Sequence, residues 1–255
     1  MRFPFDPAPV NLSLASLPGL YWQRLPTACH EVWVDPTLGQ ISIDHVQLVP
    51  QCLGVLDDDL CDMLRCALPA TQFRLHANVR VLPERRLFDL STLATSWPWF
   101  ERIGMLSHRL GACAYTAHPG RRRDTTLRQV LDNARMLADR FGFAVGVEGM
   151  YPGEAGWLLS TWSEYAELLE SGVPYALDLS HLHIVATSSG QKNESLVQEL
   201  LAGEQCLEIH VSHNDGSVDQ HRPVPGVVWW LPLLRHAHPC SVIFTEGNLL
   251  RNGPV

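Results

Sequence analysis

The 255-residue sequence has no Cys-x-x-Cys pair, no glycine-rich nucleotide fingerprint and no apolar run approaching twenty residues. Each absence removes a class. Seven cysteines, an odd number without paired spacing, fit neither a zinc ribbon nor a disulfide framework, so reduced thiols are expected. Without GxGxxG or a P-loop, an open nucleotide-binding sheet loses its main support. Without a long apolar run there is no candidate membrane span, and the first twenty residues hold no continuous apolar stretch of a secretory leader. A cytoplasmic protein with no membrane partner is the expectation. Charge is also scarce: 18% of residues, with a net value of −8. A negative surface is repelled by phosphate backbones, which argues against nucleic acid as the partner.

Apolar residues are plentiful, at 46%, enough for a large core. Short apolar runs bounded by Gly, Pro or polar residues recur at 10–15, 31–35, 73–81, 112–118, 144–148, 174–178, 206–211 and 241–246. Such runs suit strands buried on both faces. The run 41–49 competes with 31–35 for second place. Helical spacing lies between them, at 124–142, 161–172, 193–203 and, interrupted by Pro232, at 227–238. Strand–helix alternation with eight strand candidates predicts one (β/α)8 TIM barrel domain over 1–255.

In such a barrel the active site lies at the C-terminal ends of the strands. Metal-ligand residue types fall there on six consecutive strands. They are His76, His118, Glu148, Asp178 with His181, His210 with Asp219 and His221, and Glu246. A lone histidine or carboxylate at a strand end is ordinarily a hydrogen-bonded core residue or a cap. Six in succession point to divalent metal, because crowded carboxylates are costly without cations. Nine ligands exceed the needs of one ion, so one to three ions of zinc, manganese or iron are expected. The stretch CLEIHVSHNDGSVDQH puts His210 at the mouth. It returns Asp219 and His221 to the site only if the loop curls, for which Gly216 is suited. His213 and the arginines that directly follow site motifs, Arg121 and Arg222 above all, are the candidate substrate contacts.

The motifs AHPG, VGVE, DLSH, HVSHNDGSVDQH and FTEG resemble the xylose-isomerase-like TIM barrels over roughly residues 73–248. That group includes sugar phosphate isomerases and epimerases and type 2 AP endonucleases. Likeness to the endonucleases implies three metals: His76, His118 and Glu148 on the first, Glu148, Asp178, His210 and Glu246 on the second, His181, Asp219 and His221 on the third. Likeness to the isomerases implies one ion on Glu148, Asp178, His210 and Glu246, with Glu148 and Glu246 also moving protons as catalytic residues. The stretch 206–224, with VVWWLPLL after it, also resembles multinuclear non-haem iron enzymes that oxidise peptides or small molecules, although His181 stands where those usually carry Asn. The leading expectation is isomerisation or epimerisation of a sugar-like small molecule; the alternatives are phosphoester hydrolysis and iron-dependent oxidation of a peptide or small molecule. The expected partner is a small-molecule substrate, with an anionic group if the arginines line the mouth.

Overall fold

The computed structural model describes residues 9–84 and 87–251. Eight parallel strands close into a barrel: β1 (Val10–Ser13), β2 (Ser42–Leu48), β3 (Gln72–His76), β4 (Ala114–Ala117), β5 (Ala144–Glu148), β6 (Tyr175–Asp178), β7 (Cys206–Val211) and β8 (Val242–Thr245). Each strand pairs with its sequence neighbours, and β1 closes the ring by pairing with both β8 and β2. This is the expected (β/α)8 architecture.

The helices are α1 (Leu25–Cys29), α2 (Asp58–Ala67), α3 (Trp97–Leu110), α4 (Leu127–Phe141), α5 (Trp162–Ser171), α6 (Leu179–Ser189) and α7 (Glu194–Ala202). In α4 the residues at 3.6-residue spacing, Leu127, Val130, Leu131, Ala134, Leu137 and Phe141, are all buried. The cap is Thr126, whose side chain accepts from the Gln129 amide. Gly142 stops the helix at φ 74°, a conformation in which a side chain is strained.

Three expectations need correction. The second barrel strand is 42–48. Residues 34–35 form only a two-residue antiparallel ribbon with 39–40, because Asp35 turns the chain by accepting from the Thr37 and Leu38 amides. The run 73–81 ends as a strand at His76, since Ala77 takes a positive φ of 45°. The segment 227–238 yields only a 3-10 turn over Leu231–His236, with Pro232 at its start.

Helix α6 begins immediately after β6 and was not marked by the periodicity of the sequence. Its residues are buried on nearly every side, so no polar face betrays it.

Candidate metal centre

The carboxyl ends of β3 to β8 converge on one cavity of about 170 Å³. His76, His118, Glu148, Asp178, His181, Asp219, His221 and Glu246 line it. His210 lies directly beneath, fully buried. All nine expected ligands therefore meet at one place.

Glu148 stands at the centre. His118 Nε2 is 2.9 Å from Glu148 Oε2 and His76 Nε2 is 3.4 Å from the same oxygen. His210 Nδ1 is 3.0 Å from Glu148 Oε1 and 3.7 Å from Glu246 Oε1. On the far side, His181 Nε2 lies 3.5 Å from Asp178 Oδ2 and 3.7 Å from Asp219 Oδ2, and His221 Nε2 lies 2.8 Å from Asp219 Oδ2. Three overlapping triads have ligand atoms within 4.8 Å of one another: His76–Glu148–His210, Glu148–Asp178–His181 and Asp178–His210–Glu246.

Local sequence explains how these groups are aimed. Asp178 ends β6 and caps α6, accepting from the amides of Ser180 at 2.6 Å and His181 at 3.1 Å. That cap turns strand into helix within one residue and leaves Asp178 Oδ2 free to face His181. The loop after β7 is wound by Gly216 at φ 85° and, unexpectedly, by His221 itself at φ 44°. A positive φ at a non-glycine residue is strained. Here it brings Asp219 and His221 onto the same side, as Asp-x-His requires. The base of the loop is clamped by paired backbone hydrogen bonds between His213 and Arg222.

Four of the histidines have Nδ1 engaged by the protein and Nε2 facing the centre. His76 Nδ1 meets Thr116 Oγ1 at 2.8 Å, His181 Nδ1 the Gly149 carbonyl at 2.8 Å and His221 Nδ1 the Glu246 carbonyl at 3.2 Å. His118 Nδ1 lies 3.7 Å from Asp89 Oδ1. Outward anchoring of one ring nitrogen is how metal-binding histidines are fixed in tautomer and direction. His210 is the exception, presenting Nδ1.

The electrostatics suit a cation. Burial disfavours charge on these rings, yet facing carboxylates outweigh it. His118 and His181 are raised to about 10 and His221 to about 9. Burial alone would raise Glu148, but the His76 charge and hydrogen bonds from His118 and His210 hold it well below the carboxylate range. Glu246 goes the other way, raised by burial. Glu148 Oε2 and Asp219 Oδ1 are buried without an aligned donor. Orphaned carboxylate oxygens among histidine nitrogens are the donor set of a divalent metal, so the residues present fit one.

The proposed substrate contacts divide. The Arg121 guanidinium sits 5.5 Å from the ring centre of Trp157, which lines the cavity. Arg122 is engaged with Glu164, and Arg123 is exposed beside Asp124. His213 stacks near His183, and Arg222 lies near Asp215; neither lines the cavity. Missing from the expected list were Gln51, Met150, Tyr151 and Trp157, all lining residues. They come from irregular loops and follow no spacing that marks them. A second cavity of about 350 Å³ shares Pro50 and Gln51 with the first.

No family model matches the chain, and no curated protein is similar to it in sequence. Solved structures are similar in fold. An AP endonuclease of family 2 from Brucella melitensis has a TM-score of 0.64 at 14% identity, covering 94% of this chain and 93% of its own. A D-tagatose 3-epimerase-like protein has a TM-score of 0.59 at 17% identity, covering 80% and 82%. The IOLI protein, solved with a binding zinc atom, has a TM-score of 0.60 at 13% identity, covering 94% and 88%. The chain shares the TIM-barrel fold of these structures, as the alternation of its strands and helices led one to expect.

Proposed function

We propose that the chain is a multinuclear metal-dependent hydrolase of a small phosphoester. The observation that carries this is the convergence of His181, Asp219 and His221 on the same cavity as the strand-end ligands. A one-ion isomerase has no use for that trio. Divalent ions held by these residues would neutralise a phosphoryl group and lower the pKa of water toward neutrality.

The chain's own groups do the rest. Burial pushes the Tyr151 hydroxyl up to about 12, so it stays protonated at neutral pH and is available as a hydrogen-bond donor in the cavity. Arg121, over the ring of the lining residue Trp157, would offer a cation near the cavity to an anionic substrate. The cavity is small, and the non-reacting part of a larger ester has room across Gln51 in the neighbouring cavity.

The isomerase expectation keeps one supporting observation. Glu148 and Glu246 flank His210 and their proton affinities are driven apart, which is the pattern of an acid–base pair.

The test is metal analysis of protein purified without chelator, paired with assays on a chromogenic phosphodiester and on ketoses in D₂O. More than one metal per chain with ester cleavage supports hydrolysis. One metal per chain, no cleavage and deuterium entering a ketose would replace it with isomerisation. Iron with O₂ uptake would replace it with oxidation.

A further inference from the structure

We infer that Glu208 is a positioning residue that sets the ring proton of two ligand histidines from beneath the metal centre, His210 directly and His76 through Thr116. The inference rests on the metal-centre reading.

Glu208 precedes His210 by two residues on β7, so both side chains point into the barrel. It is fully buried. Its Oε2 is 2.8 Å from Gln47 Nε2, 3.0 Å from Thr116 Oγ1 and 3.2 Å from His210 Nε2, while its Oε1 is 3.3 Å from Arg74. A barrel interior is ordinarily filled by Val, Ile and Leu. Here a glutamate and an arginine take that space, which costs several kcal/mol unless every partner is in place.

His210 turns Nδ1 toward Glu148 and Glu246. To ligate through Nδ1, the ring must carry its proton on Nε2. Two groups reach Nε2. The Gln47 amide nitrogen, at 2.8 Å, has no lone pair to offer and donates to Glu208 Oε2, also at 2.8 Å, while Gln47 Oε1 accepts from the Ser13 hydroxyl at 2.6 Å. Glu208 can only accept. Glu208 therefore holds the proton at Nε2; with Gln47 alone, the lone pair would turn inward and an N–H would face Glu148.

The second ring follows by relay. Thr116 donates its hydroxyl hydrogen to Glu208, so its oxygen is left to accept the His76 Nδ1 proton at 2.8 Å. His76 Nε2 then meets the centre with its lone pair. One carboxylate thus prepares ligands on β3 and β7 together.

The experiment uses the full chain with zinc as a diamagnetic probe. Zinc affinity is measured against a chromophoric chelator, and histidine ring N–H resonances are recorded on the zinc-loaded, ¹⁵N-histidine protein. Glu208→Gln is expected to weaken zinc binding about 10–100-fold, the usual effect of losing such a partner, and to shift the His210 Nε2–H resonance. Thr116→Val, which keeps the side chain's size, is expected to shift the His76 Nδ1–H resonance and leave that of His210 in place. Wild-type affinity with both resonances unmoved in Glu208→Gln overturns the inference. If that variant does not fold, an unmoved His76 resonance in Thr116→Val overturns it. Zinc binding by the wild type tests the metal centre itself, and the ratio of variant to wild type tests Glu208.

Discussion

His118, His181 and His221 are each held protonated past neutrality by facing carboxylates, to about 10, about 10 and about 9. Folded values above the ordinary 6.5 fix the sign. Stabilisation from these charged rings is complete below about pH 6.5 and is lost as pH rises through 9 to 10. Metal-free protein should therefore lose thermal stability across that alkaline window. Metal must displace the same protons, so its apparent affinity should rise with pH, with proton release at pH 7. Calorimetry in buffers of different ionisation enthalpy measures that release; a buffer-independent heat would refute it. At the same scale, Asp219→Asn and His221→Ala should lower metal stoichiometry while leaving the far-UV spectrum and cooperative unfolding intact. A full metal complement in both variants would mean that the trio holds no ion.

Among the elements, α4 shows what periodicity reveals. Apolar positions at helical spacing and a glycine stop were enough to place it, and the expected start at 124 ran three residues ahead of Leu127. Thr126→Ala should cost about 1 kcal/mol, and Leu137→Ala, fully buried, about 2–5 kcal/mol. Urea unfolding measures both, and a larger loss at Thr126 than at Leu137 would contradict this packing. Helix α6 escaped notice because burial on nearly every side removes amphipathic contrast. The convergence of the nine candidate ligands was legible because strand ends are positions as well as residue types. Tyr151 and Trp157 were not, since aromatic residues in irregular loops have no register to betray them. Glu208 was hidden differently: it sits in a quoted motif, but only the closed barrel reveals that Arg74, Gln47 and Thr116, from three other strands, meet it.

For the molecule as a whole, the barrel closes around buried charge, and a metal held there would couple its own binding to stability. Anything that binds only the folded chain stabilises it by mass action, by about 2.7 kcal/mol at one hundred times its dissociation constant. Stripping metal with a chelator should lower the melting temperature, and adding zinc or manganese back should restore it in proportion to the logarithm of free metal. A melting temperature indifferent to both treatments would leave the centre without a metal role.

The clamp between His213 and Arg222 has a wider implication. It gathers ten residues, 213–222, that carry Asp219 and His221 into one loop, which Asn214 ties to the Ser180 carbonyl and His221 to the Glu246 carbonyl. The strand-end candidates belong to the scaffold, while two of the trio belong to this loop. The number of ions the chain can hold would then be set by one loop: shortening it between Ser212 and Pro223 should remove the trio's ion while the eight strands stay as they are.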